Sequence, residues 1–349
     1  MGDRLTIALD AMGGDHAPDI VVRGADIARE RHPDVRFLLF GDEVAIEPLL
    51  AALPRLRDRA EVRHTAARIT ADTKPSAALR TGRSSSMWLA VEAVRDGEAG
   101  AIVSAGNTGA LMAVSKFVLR TPKGVDRPAI AGLLPTSRGE CAMLDLGANL
   151  ECDAENLVQF AVMGALFTRV VLGVDRPSVG LLNVGAEELK GHEALREAAA
   201  RLRAAELPMR FAGFVEGNDI PAGAVDVVVT DGFTGNIALK TAEGTAQLCA
   251  GFLKESFRSS LLSMAGYVLA RGALRKLRGR LDPRRYNGAV FLGLNGIVVK
   301  SHGGSDAYGF GNAVSVAIDM QRNGFMAGMR AEMERLYGGD GPQAEAIAG

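Results

Sequence analysis

The run Ala101-Ile-Val-Ser-Ala-Gly106-Asn107-Thr108-Gly109-Ala110 gives the clearest view of how this chain folds. A short apolar run, typical of a buried strand, ends in a glycine turn, and a helical pattern follows the turn. The same order returns at Val227-Val-Val-Thr-Asp231-Gly232-Phe233-Thr234-Gly235-Asn236. Strands that pass through tight turns into helices are the units from which parallel sheets are built. Two such units predict an α/β fold.

The rest of the chain repeats this alternation. β-like runs occur at residues 5–10, 36–40, 61–64, 130–134, 141–146, 178–183, 210–215 and 289–294, with helical patterns between them. We therefore predict a doubly wound, mostly parallel sheet covered by helices, within one α/β domain of residues 1–337. Residues 236–282 are helical throughout except for a relaxed patch at 263–266, and are predicted to form a projecting helical hairpin. Residues 338–349 are small and polar and are predicted to be a disordered tail.

Composition excludes several classes of protein. The 349 residues have a formal net charge of -1, whereas a nucleic-acid-binding surface usually leaves a basic excess, so no nucleic acid is expected as a partner. Three cysteines without metal-ligand spacing favour a reducing compartment. No signal peptide is recognisable, and no apolar run reaches the roughly 18 residues of a membrane-spanning helix. We expect a cytoplasmic protein.

The two glycine turns predict an anion site. Glycine lets the backbone approach a ligand, threonine offers a hydroxyl, and a helix N-terminus offers unpaired amides. Further glycines follow strands at Leu146-Gly147-Ala148-Asn149 and Asn183-Val184-Gly185, so we predict one glycine-lined crevice with phosphate as its first candidate ligand. The candidate phosphate-binding residues of the turns are Gly106, Asn107, Thr108, Gly109, Gly232, Thr234 and Gly235.

A second candidate element is the loop after the apolar run at residues 297–299. It brings Lys300, Ser301 and His302 to a turn that contains Gly303 and Gly304. A cation, a hydroxyl, an imidazole and free amides at the carboxyl end of a strand suit anion binding, because ligands of open α/β sheets bind at such ends. The alternative is an ordinary loop with a solvated lysine and histidine.

Other polar residues lie near predicted strand ends. Asp10 precedes Gly13-Gly14, Lys190 follows the strand at 178–183, and Asp231 and Asn236 border the second glycine turn. Lys240 lies one helical turn after Asn236, on the same face. Each could instead be a cap or a solvated surface residue. We take Lys300, His302, Asp231 and Asn236 as the candidate catalytic residues, with Lys190 and Lys240 as further phosphate ligands.

Familiar cofactor and nucleophile motifs are missing. No Gly-x-Gly-x-x-Gly follows the first strand, Ala186 stands where a P-loop lysine would be, and Arg196 stands where a zinc helix needs a histidine. Cys141 lies in a predicted strand and Cys249 in a predicted helix, so we expect both to be core residues and not nucleophiles, and Cys152, near a turn, has no obvious base beside it. We therefore expect no cofactor, no metal and no covalent intermediate.

Six short motifs occur together and in order: Asp10-Ala-Met-Gly-Gly-Asp15, Ala105-Gly-Asn-Thr-Gly-Ala110, Leu144-Asp-Leu-Gly-Ala-Asn149, Gly180-Leu-Leu-Asn-Val-Gly185, Asp231-Gly-Phe-Thr-Gly-Asn236 and Lys300-Ser-His-Gly303. In these motifs the chain resembles the phosphate acyltransferases of bacterial phospholipid synthesis, from about residue 5 to residue 320. The resemblance implies transfer of a long acyl chain from acyl carrier protein to inorganic phosphate. It also implies a fold like the isocitrate and isopropylmalate dehydrogenases, a homodimer, and a membrane glycerol-3-phosphate acyltransferase that consumes the acyl phosphate.

The residues fit this chemistry, because phosphate is itself a nucleophile and needs only to be held against the thioester carbonyl. His302 could protonate the departing thiolate. Three alternatives stay open: a phosphotransacylase for short acyl-CoA, a non-catalytic binder of acyl carrier protein recruited to the membrane, and a decarboxylating dehydrogenase. The last would need clustered aspartates, and Asp145, Asp226 and Asp231 are too scattered.

The middle of the helical hairpin has an apolar stretch, Leu261-Leu262-Ser263-Met264-Ala265-Gly266-Tyr267-Val268-Leu269-Ala270, followed by seven basic residues up to residue 285. An apolar tip beside a basic segment can insert shallowly into anionic lipid. We predict peripheral membrane association through Leu261, Leu262, Tyr267 and Leu269. The alternative is a dimer interface that buries the same leucines.

Overall fold

Eleven strands form one sheet in the computed structural model, which describes residues 5–337. In chain order they are β1 (Thr6–Asp10), β2 (Arg36–Gly41), β3 (Ala60–His64), β4 (Ala101–Ser104), β5 (Ala129–Thr136), β6 (Gly139–Leu144), β7 (Ser178–Leu182), β8 (Arg210–Val215), β9 (Val227–Val229), β10 (Ala289–Leu292) and β11 (Ile297–Lys300). Across the sheet they lie in the order β3-β2-β1-β4-β11-β10-β5-β6-β9-β7-β8. The interior strands are mainly apolar, and β4, β9 and β11 are buried at every residue, as expected where helices cover both faces.

Helices cover both faces of this sheet. They are α1 (Asp19–Arg31), α2 (Glu43–Ala51), α3 (Pro54–Arg57), α4 (Pro75–Thr81), α5 (Ser86–Arg95), α6 (Thr108–Leu119), α7 (Ala154–Leu172), α8 (Glu193–Ala204), α9 (Asp219–Ala222), α10 (Gly232–Arg258), α11 (Leu261–Leu281), α12 (Ala307–Arg322) and α13 (Phe325–Tyr337). Successive residues of a strand enter opposite cores: Val103 packs with α1, α7 and α12, and Ile102 packs with α5 and α6. The doubly wound fold is confirmed.

The sheet is mostly parallel, as predicted, but its two flanks run in opposite directions. β1 to β4 and β11 are parallel to one another, and so are β6 to β9. Between the flanks, β11 with β10, β10 with β5, and β5 with β6 are antiparallel. The short connections from β5 to β6 and from β10 to β11 cause two of these reversals, because a tight turn can join only antiparallel strands. The third reversal is the pairing of β10 with β5, which are distant in the chain. The carboxyl ends of the two flanks therefore lie at opposite edges of the sheet.

Helices α10 and α11 project from the sheet, as predicted. Beyond Gly235 neither helix has a buried residue. The predicted break at residues 263–266 is wrong by a few positions: α10 ends at Arg258 and α11 begins at Leu261. The reason is a serine cap, since the Ser260 hydroxyl accepts a hydrogen bond from Ser263 N at 3.1 Å and starts the second helix there.

Two other sequence predictions concern the extent of the domain and membrane-spanning segments. The assignment of residues 1–337 to a single domain stays a prediction, and the predicted tail at 338–349 lies outside the described residues. Among the described helices, α7 is long and apolar enough to cross a membrane by length and composition. Of its most apolar window, 72% is buried in the core, where it packs against β6 and β9.

Candidate active site

The carboxyl ends of β1, β4 and β11 meet at one edge of the sheet. Lys300 lies beside Ser104 in the parallel register of β11 and β4. The loops that follow these strands pack closely: Asp15 N donates to Gly303 O at 3.0 Å, and a Cβ at Gly13 would lie 2.8 Å from Gly106 N. Glycine is therefore required for this contact between the backbones.

A buried carboxylate organises this edge. Asp10, 1% exposed, accepts hydrogen bonds from Ser86 Oγ at 2.6 Å and from Ser104 Oγ at 2.7 Å. Ser104 Oγ in turn accepts from Gly106 N at 3.0 Å. Burial raises the pKa of Asp10, although the two serine hydroxyls oppose this shift. No pattern in the sequence singles out Ser86 and Ser104, because a serine in a strand or at a helix start usually signals only local structure.

The ammonium of Lys300 is almost completely buried, with 9% of the residue exposed. Its Nζ donates to Ala105 O at 3.4 Å and also contacts Ser301 O. Burial lowers the pKa of Lys300 to about 8, against the opposing charges of Asp10 and Asp15. The side chain is therefore mostly charged at neutral pH. We call Asp10, Ser86, Ser104 and Lys300 the Lys300 cluster.

The loop after Lys300 carries the other predicted residues of this edge. Ser301 is fully buried and His302 is exposed. The Nδ1 atom of His302 accepts a hydrogen bond from Gly304 N at 3.2 Å. Gly303 is partly buried, and its carbonyl joins this loop to the one after β1. The loop therefore combines a buried cation with an exposed imidazole.

The first glycine turn lies at the same edge. Asn107 caps α6: its Oδ1 accepts from Ala110 N at 2.9 Å, and its Nδ2 donates to Ala71 O at 2.6 Å. These contacts give Asn107 a structural role: it caps α6 and ties the turn to the segment that contains Ala71. Thr108 and Gly109 are exposed at the start of α6, where backbone amides lack partners within the helix and carry the positive end of the helix dipole.

The second glycine turn lies elsewhere. The prediction that both turns line one crevice is therefore wrong for a single copy of the chain. The turn follows β9, five strand spacings or roughly 24 Å from β4, at the opposite edge of the sheet. There Gly232 N donates to Asn149 O at 2.7 Å, and Asp145 accepts from Asn149 N at 2.7 Å and from Ile130 N at 3.0 Å. The prediction treated all strand ends as neighbours, and the antiparallel centre of the sheet separates them.

Asp231, a candidate catalytic residue, is the N-cap of α10. Its carboxylate accepts from Thr234 N at 2.8 Å and from Thr234 Oγ1 at 2.9 Å, so the threonine hydroxyl is engaged as well. Gly235 packs against Asp145 O, and Asn236 is partly buried beside Gly147. The structure thus gives this turn capping and packing contacts.

The two other predicted lysines also lie away from Lys300, on elements of the other flank of the sheet. Lys190 is exposed after β7, and its Nζ lies 2.8 Å from Glu187 Oε1, which raises the pKa of the lysine. Lys240 is exposed on α10. Neither belongs to the Lys300 cluster.

Cys141 is buried as predicted, whereas the prediction of Cys249 as a core residue is wrong: it is exposed, because α10 projects from the sheet. Cys141 and Cys152, the residue that the sequence left open, are poor nucleophiles. Burial and neighbouring carboxylates raise the pKa of Cys141 to about 12 and that of Cys152 to about 12. The thiolate is the reactive form, and it is scarce at neutral pH with such values. Within residues 5–337 no three His, Cys, Asp or Glu side chains are grouped so that they could hold a metal ion.

Related sequences define the class of protein. A family described as "Fatty acid synthesis protein" matches residues 5–328. A phosphate acyltransferase of Rhodospirillum centenum is 65% identical over 336 residues, which are 96% of this chain and 95% of that protein. A phosphate acyltransferase of Paramagnetospirillum magneticum is 60% identical over 349 residues, 100% of this chain and 99% of that protein. The chain is an acyltransferase enzyme. More narrowly, it belongs to the phosphate acyltransferase family, which confirms the resemblance seen in the motifs.

Solved structures share the fold at low sequence identity. A phosphotransacetylase from Streptococcus pyogenes is similar with a TM-score of 0.59 at 17% identity, over 92% of this chain and 95% of that chain. The EutD phosphotransacetylase from Staphylococcus aureus gives a TM-score of 0.57 at 17% identity, with coverage of 92% and 95%. These similarities support the mostly parallel α/β architecture.

Proposed function

We propose that this enzyme transfers a fatty acyl group from acyl carrier protein to inorganic phosphate at the Lys300 cluster. The observation that carries the proposal is the buried ammonium of Lys300, whose Nζ donates to Ala105 O at 3.4 Å in the loop that leads into the exposed start of α6. A desolvated cation and helix amides together favour a small multivalent anion. The relatives' name, phosphate acyltransferase, supports phosphate as that anion.

The chemistry needs no protein nucleophile. A phosphate oxygen attacks the thioester carbonyl carbon, the tetrahedral oxyanion collapses, and the carbon–sulfur bond breaks to give acyl phosphate and a thiolate. Lys300 and the α6 amides hold phosphate in place for attack, and His302 donates the proton that the thiolate takes up. The high thiol pKa of Cys152 supports direct transfer over an acyl-enzyme.

The acyl phosphate product is a reactive mixed anhydride. We propose that a membrane glycerol-3-phosphate acyltransferase consumes it for phospholipid synthesis, as the family resemblance implies. Acyl phosphate should then form on or near the membrane, where its consumer resides.

One assay tests the reaction. Acyl carrier protein loaded with palmitate is incubated with enzyme and phosphate, and hydroxylamine traps acyl phosphate as the hydroxamate. Product should depend on phosphate and survive EDTA. Turnover with short acyl-CoA but not with the carrier protein would favour a phosphotransacylase, and tight carrier binding without product would favour a non-catalytic binder. A stoichiometric acyl-enzyme formed without phosphate would contradict direct transfer.

We further propose that this enzyme is cytoplasmic and associates peripherally with the membrane through the hairpin tip, residues 261–270. Leu261 and Leu269 are 85% and 89% exposed, Leu262 is similarly exposed, and Tyr267 is half exposed. Basic residues follow them on α11, and each near an anionic surface adds on the order of 1 kcal/mol. In flotation with anionic liposomes the wild type should float, less so at high salt, and Leu261→Glu with Leu269→Glu should not. A double variant that floats like wild type would place the anchor elsewhere.

A homodimer through the hairpin stems is compatible with a free tip. Leu248, Phe252 and Leu253 on α10 are 55%, 59% and 40% exposed, which is unusual for three large apolar residues so close together. We propose that they pack against a second copy. Light scattering should give a dimer mass for the wild type and for the tip variant, and a lower mass for Leu248→Glu with Phe252→Glu. A stem variant that stays dimeric would exclude this interface.

A further inference from the structure

A short strap connects the projecting hairpin to the sheet. It consists of residues 282–288 and contains the 3₁₀ turn Pro283–Tyr286. The Arg284 guanidinium lies 2.8 Å from Asp306 Oδ2, and Arg284 O accepts from Asn312 Nδ2 at 2.7 Å. Asp306 caps α12, and Asn312 lies on that helix. The strap is therefore held against α12 by both the side chain and the backbone carbonyl of Arg284.

The side chain of Asn287, on this strap, binds the loop after Lys300 with both of its polar atoms. Its Nδ2 donates to Ser301 Oγ at 2.8 Å and to Ser305 Oγ at 3.2 Å. Its Oδ1 accepts from His302 N at 2.9 Å. One partly buried amide thus contacts three positions of a loop that has already left the sheet.

The loop has few other attachments. Ser301 N still donates to Ser104 O at 2.9 Å, but the next backbone bonds are Ser305 N to His302 O at 3.1 Å and the contact of Gly303 O with Asp15 N. The His302 amide is held by Asn287. The position of the imidazole relative to Lys300 therefore depends on a residue that lies outside the loop.

We propose that Asn287 is a positioning residue, which holds His302 and Ser301 in the geometry that acyl transfer to phosphate requires. It acts through these neighbours and not by contact with substrate. This inference rests on the proposed function. Displacing a catalytic group by about 1 Å can lower a rate about a hundredfold. Loss of the Asn287 hydrogen bonds should therefore affect turnover more than substrate binding.

The test compares Asn287→Ala with Asn323→Ala. Asn323 is a matched control because its side chain, at the far end of α12, binds only the Val170 carbonyl among the described residues, with Nδ2 donating at 3.0 Å. For Asn287→Ala we expect kcat to fall roughly tenfold to a hundredfold, with a much smaller change in the KM for phosphate. Hydrogen–deuterium exchange of residues 301–305 should accelerate, and that of residues 227–236 should not. The control should match wild type in both measurements.

The conservative variant Asn287→Asp keeps an acceptor for His302 N and offers the two serine hydroxyls an acceptor in place of the Nδ2 donor, but it adds negative charge beside the anion site. Exchange of residues 301–305 should stay slow while the KM for phosphate rises. If Asn287→Ala does not fold, this variant carries the test, and an unchanged KM with fast exchange would overturn the proposal. So would a folded Asn287→Ala protein with wild-type kcat or wild-type exchange. Hydrogen–deuterium exchange does not depend on turnover. A wild-type enzyme that forms no acyl phosphate would refute the proposed function, and exchange would still show whether Asn287 holds residues 301–305.

Discussion

Replacing Lys300 by Met should separate anion binding from stability. Methionine fills a similar volume without charge, so the core around β11 should be kept. The lost interaction is a hydrogen bond to a charged group at a desolvated site, about 1.5–3 kcal/mol, which corresponds to a roughly 10- to 150-fold weaker affinity for phosphate. Phosphate titration by calorimetry, together with the phosphate dependence of turnover, measures this change. Lys116→Met, at the far end of α6, removes the same charge at an exposed position and is the control.

The same substitution should change the pH dependence of stability in a defined direction. Burial lowers the pKa of Lys300 to about 8, below the ordinary value of 10.5, so between these values the unfolded chain binds the proton that the folded protein has lost. Lys300 therefore makes the wild type more stable as pH rises from about 8 to 10.5, by at most about 1.4 kcal/mol per pH unit. Below pH 8 the buried charge costs stability, so Lys300→Met should be at least as stable as wild type at pH 7.

Urea unfolding of wild type and Lys300→Met at a series of pH values checks this reasoning. The difference in unfolding free energy should move in favour of wild type across that window. A constant difference would mean that the lysine is not held at a lowered pKa. Unchanged phosphate affinity in Lys300→Met would place the anion site elsewhere.

Three further substitutions test other parts of the site. His302→Gln should lower kcat by roughly a hundredfold or more with little effect on affinity, and an unaltered pH–rate profile would make the imidazole merely structural. Asp10→Ala should lower the unfolding free energy by about 2–5 kcal/mol, because two buried serine hydroxyls lose their acceptor; denaturant melts measure this, and a loss below 1 kcal/mol would contradict it. Asp231→Ala should cost about 1 kcal/mol in thermal unfolding through loss of a helix cap, with an unchanged KM for phosphate. A raised KM would show that the two edges of the sheet serve one site.

The local units of this fold can be predicted from the sequence because their causes are local. Apolar runs such as residues 101–104 form strands, and the caps Asn107 and Asp231 start helices at the predicted glycine turns. The anion-binding chemistry of the Lys300 loop and the family motifs can also be recognised, since residue types and their spacing carry both. The projecting hairpin follows from a long helical pattern with no strand to cover.

The arrangement of those units depends on contacts between distant residues. Which strand ends meet is decided by three successive antiparallel pairs in the centre of the sheet, and these move the second glycine turn, with Asp231 and Asn236, away from Lys300. The serines that hold Asp10 are 76 and 94 positions from it along the chain. The sequence by itself thus determined the elements, the family and the chemistry of individual loops. Only the tertiary structure decided which loops share a site, because partners so far apart in the chain leave no periodic or local pattern.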